Sequence, residues 1–361
     1  MVAENHNMRA WISVIAALCA FALSPTGARI AFGTEPASDC GIPTDIHDGW
    51  AMTSPEKQGV NPILLCTMDD GITGGKLANV DDIVVVRHGI LVYERYYPQP
   101  QLHTDATTRH RGNSMTKSVV SLLVGIAVDR GWINDLDVPV VSYFPENADL
   151  RMPDKAPITL RHLLTMSAKL GSSEAPGVSF EYNNHETELV GAILKKVTGK
   201  TVDVLAQENI FAPLGITDVE WQKDPFSGLP MSYKGLNLRP RDWAKIGQLV
   251  LNRGVWQGKQ IVPASWVVQS TAEEIKAEGP LQTEHIRAEG PRSYGYQWWL
   301  GQSLDKDRVV QWVAAMGFNS QKTIIIPALD MVVVFNASRQ SKNMVAPELD
   351  LLDRYILPAT F

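Results

Sequence analysis

The chain has 361 residues, of which 45% are hydrophobic and 20% are charged, and its formal net charge is −6 at pH 7. This composition is typical of a globular enzyme built from one large domain or two. The charge balance leaves no basic footprint for nucleic acid, and no long run of like charges predicts an interaction tail.

The N-terminus has the pattern of a secretory signal peptide. Arg9 precedes the apolar residues 11–23, and the small residues Thr26-Gly-Ala28 follow. This apolar segment is shorter than the roughly 20 residues that a membrane-spanning helix needs. We therefore expect a signal peptide over residues 1–28, a periplasmic or secreted protein, and no membrane span after cleavage. An uncleaved anchor is the alternative.

Cleavage would leave two cysteines, Cys40 and Cys66. In an oxidising compartment they could pair and stabilise the fold by roughly 3 kcal/mol, but the sequence does not fix their distance in space. They are too few for a zinc site, and the histidines lack ligand spacing. Glycine-rich phosphate loops are absent from the sequence. We expect no metal and no cofactor.

The order of predicted elements places strands at both ends of the chain and helices between them. Residues 83–97 predict a β-hairpin with its turn at 87–89. Helical patterns occupy 118–128, 160–166, 188–199 and 241–251, and strands return at 296–300, 309–314, 323–326 and 331–335. This order predicts an α/β sheet domain, residues 41–113 plus 286–361, that is interrupted by a mainly helical domain, residues 114–285.

The pattern Ser-x-x-Lys occurs three times, beginning at Ser54, Ser114 and Ser303. The first predicts the start of a helix, because proline follows as the first helical residue. The third lies in the polar stretch 301–308, which predicts a solvated turn. Only the second opens a long apolar run, 118–128, followed by a glycine at 131, which is the pattern of a buried helix.

A serine hydroxyl is a poor nucleophile at neutral pH until a neighbouring base removes its proton. A lysine three residues later on a helix lies on the same face, so the Lys117 amine can approach the Ser114 hydroxyl. Burial would lower the pKa of that lysine and let it act as the base. The spacing favours Ser114 as a nucleophile; the alternative is a helix N-cap.

A second motif, Tyr182-Asn183-Asn184, precedes the helical pattern at 188–199. A tyrosine near Lys117 could share or relay its proton. Asn184 can both donate and accept hydrogen bonds, which suits holding a lysine amine and a substrate carbonyl together. The alternative is a turn before a helix with asparagine as its cap.

These motifs, in this order and followed by a late strand that ends in Gly317, resemble the class C β-lactamase-like serine hydrolases. That group includes penicillin-binding-protein-like esterases and aminohexanoate-oligomer (nylon-oligomer) hydrolases. The connecting segments at 163–166, 197–199, 240–248, 254–258 and 297–299 agree as well, and the likeness covers roughly residues 45–361. It implies an α/β (α+β) fold in which an antiparallel sheet is flanked by helices and carries an inserted helical domain.

The resemblance also implies a reaction, in which Ser114 is acylated with Lys117 and Tyr182 as its catalytic partners and Asn184 orients the substrate. The implied oxyanion hole consists of the N–H groups of Ser114 and Phe318, beside the small Gly317. Trp298, Trp299, Trp312 and Phe318 are candidates for an apolar acyl pocket, although core packing is the alternative for each tryptophan.

The third motif departs from the group's pattern. Where lactamases and transpeptidases carry Lys or His, then Thr or Ser, then Gly, this chain has Ala315-Met316-Gly317. A cation and a hydroxyl there would hold a substrate carboxylate through charge-assisted hydrogen bonds. Their loss predicts a small-molecule ester or uncharged amide as substrate. The alternatives are a β-lactamase, a D-amino-acid peptidase, or a cell-wall binding protein that acylates once without turnover.

Overall fold

The β-branched segments at the two ends of the chain pair with each other in one antiparallel sheet. A computed structural model describes residues 40–77, 80–98, 103–277, 293–305, 308–337 and 347–360. The predicted hairpin is confirmed, and its turn at His88 and Gly89 has the two positive φ values, 52° and 72°, that a type I′ turn requires.

The strands lie in three sheets within the described part of the chain. Their bounds are β1 Asp82–Arg87, β2 Ile90–Tyr96, β3 His110–Arg111, β4 Glu220–Trp221, β5 Leu236–Leu238, β6 Val255–Trp256, β7 Lys259–Gln260, β8 Ile275–Lys276, β9 Ser293–Tyr294, β10 Trp299–Asp305, β11 Arg308–Gly317, β12 Gln321–Ile326 and β13 Met331–Asn336. The main sheet has the order β2-β1-β13-β12-β11-β10-β9-β8, with antiparallel neighbours throughout. The two small sheets are β3-β5-β4 and β6-β7.

The helices come mainly from the middle of the chain. They are α1 Pro62–Thr73, α2 Met115–Asp129, α3 Leu160–Leu164, α4 Asn184–Thr198, α5 Val202–Ala206, α6 Pro240–Leu251, α7 Ala264–Ser270 and α8 Pro347–Leu351. Short 3₁₀ turns lie at Pro55–Gln58, Val140–Ser142, Pro327–Leu329 and Pro358–Thr360, and π turns at Gln207–Phe211 and Leu352–Ile356.

Each face of the main sheet packs against its own hydrophobic core. Alternate side chains of β1 go to opposite faces, so that Val84 joins α2 and α6 in one core while Ile83 joins α1 and the C-terminal helix in the other. Central strands β12 and β13 are buried along their whole length, because helices cover them on both sides. The expected fold class, an antiparallel sheet flanked by helices, is confirmed.

Helix α2 is the buried helix that the sequence predicts. Its side chains are buried from Met115 to Ala127, including the hydroxyl-bearing Ser118, whose Oγ donates to the carbonyl of Gln297 at 2.7 Å. Gly131 follows the helix with φ of 67°, a conformation that glycine adopts without steric cost. The start of this long rigid element positions the candidate nucleophile.

The prediction of a solvated turn at 301–308 is wrong for its described residues. Ser303 lies on β10 opposite Val310, and its Oγ accepts a hydrogen bond from the indole N–H of Trp312 at 3.1 Å. The local sequence does not indicate a strand here, because the hydrogen-bond partner of Ser303, Trp312, belongs to the neighbouring strand β11.

Cys40 and Cys66 form a disulfide with a Cα–Cα distance of 5.6 Å, which answers the question left open by the sequence. It links the start of the described chain to α1. The predicted signal segment 1–28 lies outside the described residues. Among the described residues, no helix is long and apolar enough to cross a membrane.

The predicted division into a sheet domain and a helical domain stays a prediction. Helices α2 to α7 fall within residues 114–285. The same range contains β8, a strand of the main sheet, and its helix α6 packs on the sheet strands β1, β12 and β13.

Candidate active site

Ser114 lies at the point where the chain enters α2. The preceding residue, Asn113, has φ of 48°, a left-handed conformation that asparagine tolerates better than most residues. Ser114 occupies the N-cap position, but its side chain makes no capping hydrogen bond. Its Oγ instead lies 3.0 Å from Nζ of Lys117, so the hydroxyl meets an amine rather than the helix backbone.

Three oxygen atoms surround the Lys117 amine. Besides Ser114 Oγ, they are Oδ1 of Asn184 at 2.9 Å and the carbonyl oxygen of Tyr233 at 3.0 Å. A neutral amine has two N–H donors and one lone pair. The two carbonyl-type oxygens can accept the two N–H groups, which leaves the lone pair for the proton of Ser114. The geometry therefore suits Lys117 as a base toward Ser114.

Burial changes the protonation of this lysine. Only 1% of the Lys117 surface is exposed. Loss of hydration lowers its pKa from 10.5 to about 7, and the Glu188 carboxylate acts in the opposite direction. At neutral pH both the charged and the neutral amine are therefore populated.

Tyr182 lies beside the same amine. Nζ of Lys117 is 4.8 Å from the centre of the Tyr182 ring. Burial raises the pKa of Tyr182 to about 12, while a hydrogen bond with Ser114 acts in the opposite direction. The phenol thus stays protonated at neutral pH and can donate a proton.

The segment that carries Tyr182 is fixed from both sides. Before it, the N–H of Glu181 donates to the carbonyl of Met166 at 2.7 Å. After it, the side chain of Asn183 accepts the N–H of His185 at 3.0 Å and caps α4. Because Asn183 serves as the cap, Asn184 remains available for Lys117.

An aromatic cluster supports the tyrosine. Tyr182 stacks on Trp299 with 5.8 Å between ring centres and 21° between planes. Phe180 and Tyr294 pack edge-on against Trp299 at 5.7 and 4.8 Å. Of the four predicted pocket aromatics, Trp299 is thus next to the site.

The other three aromatics are placed differently. Trp298 belongs to the core between α2 and the sheet, and Trp312 belongs to the core on the opposite face. Both positions agree with core packing, the alternative left open by the sequence. Phe318 is 64% exposed and directly follows β11.

The end of β11 touches the loop that precedes Ser114. The Asn113 side chain donates to the carbonyl of Phe318 at 2.9 Å. A side chain at Gly317 would collide with the backbone oxygen of Gly112, so only glycine permits this approach. The structure therefore places Gly317 and Phe318 against Gly112 and Asn113, the two residues directly before Ser114. Ala315, in the same strand, is buried in the α2 core.

Two residues of the site could not be found by reading the sequence. Asn113 acts through its backbone conformation and its bond to a residue 205 positions away. Tyr233 acts through its main-chain carbonyl, which every residue possesses. The only sequence signal was the place of Asn113 directly before the nucleophile.

Within the described ranges, no group of three or more His, Cys, Asp or Glu side chains could hold a metal ion. The polar groups around Ser114 are a hydroxyl, an amine, an amide, a phenol and a backbone carbonyl.

A serine hydroxyl beside a buried lysine amine and a tyrosine, at the end of a strand in a large antiparallel sheet, defines a protein of the β-lactamase and penicillin-binding-protein class. The chain belongs to the beta-lactamase family, whose model matches residues 79–357. It is accordingly a hydrolase of the β-lactamase superfamily.

Individual relatives are distant. The chain is 24% identical to the 6-aminohexanoate-dimer hydrolase of Paenarthrobacter ureafaciens over 298 residues, which cover 70% of this chain and 71% of that protein. Its structure is similar to that of a family VIII carboxylesterase, with a TM-score of 0.65, 15% identity, and coverage of 85% and 98% of the two chains. A penicillin-binding protein homologue from Caulobacter crescentus gives a TM-score of 0.64, 14% identity, and coverage of 82% and 96%. At these identities the likeness shows the fold.

Proposed function

We propose that this chain is a serine hydrolase that forms an acyl-enzyme on Ser114 and acts on a small-molecule ester or uncharged amide. The observation that carries the proposal is the 3.0 Å approach of a buried, partly neutral Lys117 amine to the Ser114 hydroxyl. Activated nucleophiles are recognised by such a base within hydrogen-bond reach.

Acylation begins when Ser114 Oγ forms a bond to the substrate carbonyl carbon and its proton passes to Lys117 Nζ. The carbonyl oxygen becomes an oxyanion, which the N–H groups of Ser114 and Phe318 stabilise. Tyr182 protonates the leaving alcohol or amine as the bond to it breaks, and recovers a proton from the Lys117 ammonium. The products are the free leaving group and an ester of Ser114.

Deacylation repeats these steps with water as the nucleophile. The neutral Lys117 amine, aided by Tyr182, takes one proton from water while the oxygen attacks the acyl carbon. The bond to Ser114 Oγ then breaks and the oxygen regains a proton. A carboxylic acid leaves, and the site returns to its starting state.

The wall of the site supports a substrate without a carboxylate near the scissile bond. Ala315 and Met316 offer neither a cation nor a hydroxyl. The nearest lysine in register, Lys322, pairs with Met316 across the strands, but its ammonium forms an ion pair with the buried Glu348. The names of two relatives, a 6-aminohexanoate-dimer hydrolase and a family VIII carboxylesterase, support a hydrolase that cleaves esters or amides other than β-lactams.

We also propose that the protein is exported to the periplasm or beyond the cell. The signal-like segment supports export, and the Cys40–Cys66 disulfide is typical of an oxidising compartment. Cell fractionation combined with mass spectrometry of the N-terminus would test this: a chain that begins near residue 29 in the exported fraction supports export with cleavage, and an intact chain in the cytoplasmic fraction contradicts it.

The substrate class can be tested by comparing turnover of a short-chain p-nitrophenyl ester with that of a carboxylate-bearing β-lactam. We expect sustained release of nitrophenol and a much lower kcat/KM for the β-lactam. A higher kcat/KM for the β-lactam would overturn the proposed class in favour of a β-lactamase. A single burst without further turnover would instead indicate an acylating binding protein.

The variant Ala315→Lys provides the matched specificity test. Because Ala315 is buried on the α2 face of β11, the comparison requires variant protein that keeps the wild-type Tm. In such protein the added cation at the third motif should raise the ratio of carboxylated to neutral substrate turnover. An unchanged ratio would show that residue 315 does not face the substrate carboxylate.

A further inference from the structure

Glu188 lies one helical turn after Asn184 on α4, so the two side chains share a face of the helix. Asn184 contacts the Lys117 amine directly, at 2.9 Å. Glu188 reaches the same amine by another path, because its Oε1 accepts the backbone N–H of Ser232 at 3.0 Å. The next residue, Tyr233, supplies the carbonyl that binds Lys117. One helix therefore holds two of the three oxygens around the base.

Close packing fixes the segment that Glu188 binds. Ser232 is buried directly against Gly191, where any side chain would collide with the serine hydroxyl. The Ser232 side chain therefore packs directly on the bare backbone of α4 at Gly191. With this contact in place, the Glu188 hydrogen bond determines where the Tyr233 carbonyl lies.

The negative charge of Glu188 is its second connection to the Lys117 amine. Glu188 is the carboxylate whose field favours the ammonium form of Lys117 against the effect of burial. The other titratable groups that face Lys117 are the phenols of Tyr182 and Tyr233, whose ring centres lie 4.8 and 5.4 Å from Nζ. Lys234 also lies over the Tyr233 ring, at 5.1 Å. Around Glu188 the charged groups are Asp224, Lys195 and Lys196.

We infer that Glu188 is a positioning residue of the active site, whose carboxylate, one turn along α4 from Asn184, binds the 232–233 backbone and so holds the Tyr233 carbonyl against the Lys117 amine. The inference rests on the proposed function, in which Lys117 is the base. One face of α4 would then act on the Lys117 amine in two ways: Asn184 contacts it directly, and Glu188 influences its charge.

The variant Glu188→Gln separates charge from shape. Glutamine keeps an oxygen that can accept the Ser232 N–H but lacks the negative charge. Without that charge the ammonium form of Lys117 is less favoured, so the pH below which activity is lost should fall. We expect the acid limb of the kcat/KM profile to move down by about half a pH unit or more.

Lys195→Gln is the matched control. Lys195 lies on α4 and lines the same 470 Å³ cavity as Glu188, but, unlike Glu188, its side chain makes no hydrogen bond to the 232–233 backbone. We expect its acid limb to stay within about 0.2 pH units of wild type. Glu188→Asp keeps the charge with a shorter side chain, so its limb should stay near wild type while its plateau activity falls. An unchanged limb in Glu188→Gln, in protein of wild-type Tm, would overturn the inference.

A titration that needs no turnover separates this inference from the proposed function. Selective labelling of lysine with ¹³Cε allows the Lys117 resonance to be followed by NMR and assigned with Lys117→Ala. The midpoint for Lys117 should be lower in Glu188→Gln than in wild type, and equal midpoints would overturn the role of Glu188. Absence of hydrolysis in the wild type, with the midpoint still shifted, would refute only the proposed function.

Discussion

The amine of Lys117 combines full burial with three hydrogen-bonding oxygens, at 2.9 to 3.0 Å. Burial without partners would make the ammonium form of Lys117 costly. The three oxygens offset part of this cost, because they can accept hydrogen bonds from either the ammonium or the neutral amine. The pKa of about 7 that results lies where a general base is most effective at neutral pH. The Ser114 hydroxyl needs such a base because it is not acidic itself.

The protonation of Lys117 predicts the pH dependence of activity. Only the neutral amine can accept the serine proton, so kcat/KM should rise as pH increases through about 7 and be lost below it. Tyr182, with a pKa of about 12, stays protonated, and activity should remain level to about pH 9. A pH series with a neutral ester measures this profile.

Lys117→Ala should lose at least about 10³-fold in kcat/KM, because nucleophile and base act as a unit. A profile that keeps wild-type activity and the same acid limb in this variant would show that the lysine is only structural.

Side-chain identity and spacing explain which part of the site could be predicted. Ser114 and Lys117 are three positions apart on one helix, and Tyr182 and Asn184 flank the start of another, so local geometry nearly fixes each pair. Tyr233 and Asn113 contribute a backbone carbonyl and a backbone conformation. Neither has a residue-type signature, and both depend on contacts far apart in sequence.

At the scale of elements, Gln297 joins the helices around the site. Its Nε2 donates to the carbonyls of Leu163 and Leu164, both at 3.0 Å, and its Oε1 accepts from Thr187 at 2.9 Å. Its own carbonyl accepts from Ser118 at 2.7 Å. The side-chain amide of this one buried residue links α3 and α4, and its backbone carbonyl links α2, so the three helices keep the spacing that places Lys117 opposite Asn184.

Gln297→Ala should lower the free energy of unfolding by about 2–4 kcal/mol, because it removes three buried side-chain hydrogen bonds and leaves a cavity. Gln311→Ala, at an exposed position of β11, is the control and should change stability by no more than about 0.5 kcal/mol. Chemical denaturation measures both. Equal effects in the two variants would contradict a linking role for Gln297.

Helices and strands could be predicted from the sequence where a single local pattern of residue types dominates the segment. The hairpin has β-branched runs around His88-Gly89, and α2 has a mainly apolar run, interrupted only by small residues, that ends before Gly131. Ser303 shows where such prediction fails: its strand could not be predicted locally, because its partner Trp312 belongs to the next strand. Trp298 and Trp312 show it too, because neighbouring strands decide which face of a sheet a side chain joins.

At the scale of the whole molecule, the disulfide links the start of the described chain to α1, and its two cysteines, Cys40 and Cys66, are 26 positions apart in sequence. Cross-linking a loop of this size reduces the entropy of the unfolded chain. The same connection secures α1 in the core on the sheet face opposite α2.

Replacing both cysteines, Cys40→Ser with Cys66→Ser, should reduce the free energy of unfolding by about 3 kcal/mol. Reductant should destabilise the wild type similarly and leave the double variant unaffected. A wild type whose stability does not respond to reductant would mean that the disulfide adds nothing to the folded state.

The most direct test of the central claim is to trap the acyl-enzyme. Purified protein is mixed with a p-nitrophenyl ester, quenched in acid within milliseconds to seconds, digested and analysed by mass spectrometry, with Ser114→Ala treated in parallel. We predict one acyl group per chain on the peptide that contains Ser114, none in the variant, and loss of more than about 99% of nitrophenol release in the variant. An adduct on another residue, or comparable release by Ser114→Ala, would contradict the assignment of Ser114 as the nucleophile.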